Sequence, residues 1–237
     1  MKILFYDLDG TVLVNGEVSA RCRAALEEVR RRGCMNVLNT GRSPGYVPPD
    51  VRDLPVWDGF ICGSAYISWR GELLSSASLS RAQIGSVLAV CEEKRIPVVF
   101  EGVTNSYSLG CEEPDLRLLL KEGILPAITK ITFWCDPRRV VDEDFPGFRI
   151  LRFRNYAEGI LEGFDKKTGM EMIMRREGLG RSDLWAFGDS ENDLDMLRFA
   201  GNAVCMAAAP PEFDDFCVWR CKTGDGVPEA LEKFFLN

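Results

Sequence analysis

The first part of the chain alternates short apolar runs with one amphipathic helix, and this alternation limits the folds it can adopt. Residues 2–6, 35–38 and 60–62 have the pattern of short buried strands, and apolar residues recur at helical spacing over residues 22–29. Strand, helix and strand with short connections predict a parallel sheet with right-handed crossovers. Ligands bind beyond the carboxyl ends of such strands, so polar residues there are candidates for a site.

The middle of the chain has a different pattern, rich in Gly and Pro. Its predicted elements are a helix over residues 80–94 and strands near residues 98–100, 128–134 and 148–153. We therefore expect residues 77–160 to form an inserted α+β unit with its own sheet. After it the first pattern returns, with a helix around residues 168–177 and strands at 184–187 and 203–206. Residues 1–76 and 161–237 are expected to form one α/β core.

Composition excludes several classes of function. The chain has 237 residues and no histidine, which excludes Ser-His-Asp catalysis and His-ligated zinc. Acid–base chemistry must then use Asp, Glu, Lys, Tyr or Cys. A net charge of −7 makes nucleic acid and anionic lipid poor partners.

Location and assembly follow from the same inspection. The 9 cysteines include no Cys-x-x-Cys pair, which indicates buried thiols in a reducing compartment. The apolar run before Asp7 is too short for a signal peptide, and no run approaches the roughly 18 residues of a membrane span. We expect a cytoplasmic protein, monomer or homodimer, with no membrane partner.

Two carboxylates follow the first strand directly, in the run Asp-Leu-Asp-Gly-Thr. Asp7 and Asp9 stay ionised together only if a cation lies near them; otherwise the pKa of one of them rises. Oxygen ligands without His or Cys suit Mg²⁺. Gly10 lets the chain turn and bring N–H groups towards an anion. The alternative is a capped turn with no ligand.

A second acidic cluster follows another predicted strand, where residues 188–193 have the sequence Gly-Asp-Ser-Glu-Asn-Asp. Acidic side chains in the first turn of a helix are favourable in themselves, so helix capping is one interpretation. Capping does not account for a position at the carboxyl end of a strand in the same sheet as Asp7. That position favours a shared metal site.

Two further positions carry potential phosphate ligands. Thr40 ends the second strand ahead of Gly41, and its hydroxyl with the following N–H groups can hold a phosphate oxygen. Lys166 and Lys167 open a predicted helix, where a cation is mildly disfavoured by the helix dipole. They are either solvated surface lysines, or one of them reaches an anion at the sheet edge. The residues leave open which one.

These pieces occur in the order D-x-D-G-T, strand-end Thr, Lys and G-D-x-x-N-D. In this order the sequence resembles the haloacid dehalogenase-like hydrolases, and more narrowly their Cof-type branch. The resemblance implies a Rossmann-like core with a parallel sheet, and an α/β cap over residues 77–160. The chain departs from the family pattern at Gly63–Ala65 and Ala207–Ala209, and at Lys167, which replaces the usual Gly.

The resemblance also implies the chemistry of an Mg²⁺-dependent phosphatase. Asp7 would attack phosphorus, and Asp9 would protonate the leaving alkoxide and then activate water. The residues implied to bind the phosphoryl group are Thr40, Gly41, Lys166 and Asn192. The residues implied to form or support the Mg²⁺ site are the carboxylates of Asp7, Asp189 and Asp193 and the carbonyl of Asp9.

The predicted function is hydrolysis of a small phosphorylated metabolite, with a sugar phosphate as one candidate. Trp134, Arg152 and Arg154 are candidates to face the substrate, with surface or core placement as the alternative. A phosphomutase of the same fold is a second hypothesis. A non-catalytic phosphoacceptor signalling module fits less well, because its acceptor Asp lies on a middle strand of a shorter chain.

Overall fold

The computed structural model describes residues 1–236, which divide into two compact units. The first contains Met1–Gly41, Pro48–Leu74 and the chain from Asp165 onward. The second contains Arg42–Val47 and Ser75–Phe164, so most of it is inserted in one stretch. The assignment of residues 77–160 as a cap concerns the role of this unit, and it stays a prediction.

The secondary structure alternates strands and helices at both ends of the chain. The strands are β1 (Ile3–Tyr6), β2 (Met35–Thr40), β3 (Gly59–Cys62), β4 (Tyr66–Trp69), β5 (Glu72–Ser76), β6 (Val98–Gly102), β7 (Ser106–Leu109), β8 (Ile128–Phe133), β9 (Phe148–Arg152), β10 (Ala157–Leu161), β11 (Leu184–Gly188), β12 (Asn202–Cys205) and β13 (Trp219–Arg220). The α-helices are α1 (Ala20–Arg31), α2 (Pro49–Arg52), α3 (Arg81–Lys94), α4 (Leu116–Lys121), α5 (Lys166–Glu177), α6 (Leu194–Phe199) and α7 (Gly226–Leu231). Short 3₁₀ turns span Pro44–Tyr46, Pro137–Arg139, Asp142–Asp144, Arg181–Asp183, Glu191–Asp193 and Pro211–Asp215, and a π-helical turn spans Glu232–Leu236.

The first unit is built on an eight-stranded sheet in the order β13-β12-β11-β1-β2-β3-β4-β5. The strands from β13 to β3 are parallel, and β4 turns back antiparallel to β3. The central strand β1 is fully buried, with Tyr6 opposite both Phe187 and Leu38. The carboxyl ends of β11, β1 and β2 therefore meet at one edge, as the predicted parallel α/β sheet requires.

Helix α1 forms where its apolar spacing predicts it. The Ser19 hydroxyl accepts a hydrogen bond from the Cys22 N–H at 2.9 Å, which caps the first turn. The predicted apolar positions over residues 22–29 are buried, and the helix packs against α7. Gly33 follows the helix with a φ of +89°, a conformation that favours glycine.

Two local features fix the start of helix α5 and its contact with the sheet. Asp165 caps it by accepting a hydrogen bond from the Thr168 N–H at 2.7 Å. At Gly169 a side chain would not fit, since a Cβ there would lie 2.6 Å from Ile61 Cγ1 on β3. The first turn of α5, which carries Lys166, is thereby held directly against the sheet.

The second unit has a five-stranded sheet in the order β7-β6-β8-β10-β9, with every pair antiparallel. Apolar side chains of α3, including Ile84 and Val87, join Phe100 and Phe133 in its core. Elsewhere in this sheet Lys130 is buried, with its Nζ 2.7 Å from a Glu158 carboxylate oxygen. The predicted helix and strands of this segment form, and β7, β10 and α4 are additions that the sequence did not predict.

All nine cysteines are free, and most of them are buried. Within residues 1–236, no helix combines the length and the apolar character needed to cross a bilayer.

Candidate active site

Carboxylates from two neighbouring strands meet at the carboxyl edge of the first sheet. Asp7 follows β1, and its N–H donates to the Phe187 carbonyl of β11 at 2.9 Å. Asp189 follows β11, and Asp193 lies one turn later. Carboxylate oxygens of Asp7, Asp189 and Asp193 all lie within 4.8 Å of one another. Parallel pairing of β1 and β11 produces this cluster, because both strands end at the same edge.

A buried lysine joins two of these carboxylates. Lys166 Nζ lies 2.5 Å from Asp7 Oδ1 and 2.7 Å from Asp193 Oδ1. The neighbouring Lys167 points elsewhere: its side chain is 41% exposed and lies 4.0 Å from Glu171. The sequence did not decide whether Lys166 or Lys167 reaches the sheet edge. In the structure it is Lys166 that lies beside Asp7.

Asp193 organises the loop that carries Asp189. Its Oδ2 accepts hydrogen bonds from the N–H groups of Asp189 at 2.9 Å and Ser190 at 3.0 Å. Gly188 allows this approach, because a Cβ there would lie 2.7 Å from Asp193 Cγ. Both oxygens of Asp193 are thus engaged, one by the loop and one by Lys166.

The turn after β1 closes on Asp189. Thr11 Oγ1 donates a hydrogen bond to Asp189 Oδ1 at 3.3 Å. Gly10 has a φ of +81°, and a Cβ at this position would lie 2.7 Å from Asp189 Cγ. Glycine is therefore required here both by the backbone conformation and by the nearby carboxylate.

The remaining predicted residues lie around this cluster. Asp9 is exposed, and its carboxylate is not part of the group formed by Asp7, Asp189 and Asp193. Thr40 is buried at the end of β2, and its carbonyl accepts the Gly63 N–H at 3.1 Å. The Asn192 amide nitrogen lies 3.1 Å from where a Cβ on Gly41 would stand, so it lies against the Gly41 backbone.

Burial and mutual repulsion shift the pKa values of these groups. Burial, followed by the negative charge of Asp193, raises the pKa of Asp7 to about 8, although Lys166 opposes the shift. The same two causes raise the pKa of Asp189 to about 6. Burial alone would lower the pKa of Lys166, but the charges of Asp193 and Asp7 outweigh it and raise that pKa, so the lysine stays cationic.

The donor set fits a divalent cation. Three carboxylates lie around one lysine, so the lysine alone cannot neutralise them when all three are ionised. Oxygen donors alone, without His or Cys, suit a hard cation such as Mg²⁺. Asp7 and Asp189 are the carboxylates available to hold it, because Asp193 is already engaged on both oxygens.

Comparison with known proteins identifies the family. A family model described as haloacid dehalogenase-like hydrolase matches residues 4–118 and 144–231. The chain belongs to the haloacid dehalogenase-like hydrolases. The family and fold class predicted from the sequence are confirmed, and the chain is an enzyme of the hydrolase class.

This hydrolase is similar along its whole length to proteins named as phosphatases. The "Putative phosphatase YkrA" of Bacillus subtilis strain 168 is 25% identical over 257 residues, covering 99% of this chain and 98% of that protein. The phosphatase BT1666 of Bacteroides thetaiotaomicron has the same fold, with a TM-score of 0.86, 22% identity and coverage of 100% of this chain and 96% of that one. The subclass IIB sugar phosphatase BT4131 matches with a TM-score of 0.85, 22% identity and full coverage of both chains.

The three substrate-facing candidates of the second unit have different surroundings. Arg152 donates a hydrogen bond to the Val140 carbonyl at 2.7 Å and also pairs with Asp142, so its guanidinium has a structural partner. Trp134 is 53% exposed. Arg154 is exposed in the turn between β9 and β10.

One residue near the site was not predicted. Asn39 is fully buried on β2, and its Nδ2 donates to the Lys166 carbonyl at 2.9 Å. An amide that directly follows the apolar pair Val37-Leu38 in a buried strand is the signal that could have drawn attention to it, because a buried polar group needs a hydrogen-bond partner.

Proposed function

We propose that this hydrolase cleaves a small phosphomonoester through an aspartyl-phosphate formed on Asp7. The observation that carries the proposal is Lys166 Nζ, buried between Asp7 and Asp193. Phosphoryl transfer depends on in-line positioning and on neutralising charge, which a buried cation beside a carboxylate nucleophile supplies. The names of the full-length relative and of the two structures support the same reaction class.

In this proposal two carboxylates divide the chemistry. Asp7 forms a bond to phosphorus while the ester oxygen leaves, and Asp9 gives that oxygen a proton. Asp9 then takes a proton from water, which attacks phosphorus, frees the Asp7 carboxylate and releases inorganic phosphate. Covalent catalysis divides one difficult displacement into two easier ones. The exposure of Asp9 suits a group that exchanges protons with water.

Four groups are proposed to bind the transferring phosphoryl group: Lys166, the Thr40 hydroxyl, the Gly41 N–H and the Asn192 amide. Lys166 stays cationic because of its two carboxylate neighbours. The Asn192 amide already lies against the Gly41 backbone, so the two are close enough to share one ligand.

We propose that Asp7, Asp189 and the Asp9 backbone carbonyl hold Mg²⁺, while Asp193 keeps the Asp189 loop in place. The bound ion would neutralise charge on the phosphoryl group. The oxygen-only donor set and the raised pKa values of Asp7 and Asp189 support this assignment.

The proposed substrate is a small phosphorylated metabolite, and sugar phosphates are the first class to test. Their support is the fold shared with a protein named as a sugar phosphatase. In this proposal residues 77–160 form the cap of the enzyme.

The test is release of inorganic phosphate by the purified protein from p-nitrophenyl phosphate and a panel of sugar phosphates, with Mg²⁺ or with EDTA. We expect Mg²⁺-dependent release from several members. Isomer formation without phosphate release would identify a mutase instead. No turnover across the panel with any divalent metal would overturn the proposal.

A further inference from the structure

A buried asparagine connects β2 to the start of helix α5. Asn39 is 0% exposed, and its Nδ2 donates to the Lys166 carbonyl oxygen at 2.9 Å. Its Nδ2 also lies 3.4 Å from Met196 Sδ. Lys166 is the residue whose Nζ contacts Asp7. The Asn39 amide therefore holds the main chain of the lysine on which the proposed chemistry depends.

The other end of the same amide is unsatisfied. Asn39 Oδ1 is buried and has no hydrogen-bond partner in the part of the chain that the structure describes. A buried amide oxygen without a partner lowers stability, and an apolar residue of similar size would avoid that cost. Of the two polar atoms of this side chain, the donor Nδ2 is therefore the one that makes a hydrogen bond within the described residues.

The contacts at the start of α5 are complementary. Gly169 packs on Ile61 and fixes the helix against β3. Asn39 instead fixes the first residue of the helix from β2, the strand that ends at Thr40. Strand β2 thus carries Thr40 and also holds the backbone of Lys166. The side chains of these two residues are proposed to bind the same phosphoryl group.

We propose that Asn39 is a positioning residue that sets the place of Lys166 relative to Asp7 and Thr40. The inference rests on the proposed function, because Asn39 acts only through Lys166. Lys166 Nζ is held by Asp7 and Asp193, so a displaced backbone either moves Nζ or strains these two contacts. Misplacing a catalytic group by about 1 Å can cost roughly 100-fold in rate.

The test uses an apolar replacement at two buried asparagines of β2. Asn39→Leu removes the donor together with the unsatisfied oxygen, so we expect it to lose less stability than the same replacement at Asn36. Because Lys166 loses its backbone anchor, we expect kcat to fall by roughly 10- to 100-fold. We also expect a smaller thermal shift on adding inorganic phosphate. Asn39→Ala provides a second variant with the same expected loss of kcat.

Asn36→Leu is the matched control, since Asn36 is also 0% exposed on β2. Its amide is fully used: Nδ2 donates to the Leu26 and Val56 carbonyls, and Oδ1 accepts from the Tyr6 hydroxyl. This variant should lose stability while keeping kcat and the phosphate shift. The opposite signatures of the two leucine variants separate positioning from packing.

Two results would overturn the inference. One is an Asn39→Leu protein that folds and keeps wild-type kcat and the wild-type phosphate shift. The other is an equal fall of kcat in the Asn36 control. If the wild type shows no turnover, the proposed function fails, and the phosphate shift still compares the two variants.

Discussion

At the residue scale, the proposed chemistry depends on one buried cation shared by two carboxylates. The sequence identified Asp7 and a lysine near position 166 by motif order. It did not choose between Lys166 and Lys167, because adjacent helical residues point about 100° apart and only the seating of the helix decides which faces inward. Asn39 was missed because its role is a contact to a backbone carbonyl distant in sequence.

The two lysines give a matched pair of variants. Lys166→Met should lower kcat by roughly 100-fold or more, because it removes a charge that stabilises the transferring group. Lys167→Met should stay close to wild type, because the exposed contact with Glu171 at 4.0 Å contributes little. Steady-state kinetics of both variants on one phosphate ester measures the two kcat values. A larger loss at Lys167 would contradict the assignment.

At the element scale, helix α5 brings Lys166 to the site by packing directly against β3 at Gly169. The sequence predicted the helix and its end at Gly178, where the structure has a left-handed cap. It did not predict the contact of Gly169 with Ile61, because a glycine inside a helix gives no information on what lies opposite. Strand β10 was missed for a related reason. Its Ala-Glu-Gly start lacks β-formers, and pairing with β8 and β9 stabilises it.

Gly169→Ala tests the seating of α5. Overpacking against Ile61 should destabilise the protein by about 1–3 kcal/mol and lower kcat, since the helix must shift and Lys166 with it. Gly85→Ala, in the middle of α3, is the control because a Cβ there meets nothing within 4 Å. It should be neutral or stabilising by up to about 1 kcal/mol. Chemical denaturation measures the free energy of unfolding of both variants, and steady-state kinetics measures kcat. Equal changes in unfolding free energy for the two variants would refute the close-packing argument.

At the scale of the whole molecule, the alternation of strands and helices predicted the parallel core and the inserted second unit. These are local signals. The strand order β7-β6-β8-β10-β9 arises from pairings between distant segments, which local patterns do not contain. Composition likewise gave the absence of histidine and a net charge of −7, but not the concentration of negative charge beside Lys166.

Divalent metal should couple stability of the whole molecule to pH. Because the pKa values of Asp7 and Asp189 are raised in the folded protein, the folded state binds these two protons more tightly than the unfolded state does. The resulting contribution to stability is present at low pH and is lost as the pH rises through about 6 for Asp189 and about 8 for Asp7. Mg²⁺ needs both groups deprotonated, so the Tm increase that it produces should grow from pH 6 to pH 8.5.

Thermal unfolding with Mg²⁺ or EDTA across this range measures the effect. Asp189→Asn should abolish most of the Mg²⁺-dependent increase. An increase that is independent of pH, or that survives unchanged in Asp189→Asn, would contradict the metal assignment.

The most direct test of the central claim is detection of the phosphate on Asp7. Asp9→Asn enzyme is mixed with Mg²⁺ and p-nitrophenyl phosphate, whose leaving group needs little acid assistance, then quenched in acid and analysed by intact and peptide mass spectrometry. We predict a gain of one phosphoryl group located on Asp7, because the variant lacks the group that activates water. Asp7→Asn should show no gain and no turnover. Full turnover by Asp7→Asn, or a phosphoryl group on another residue, would contradict the account.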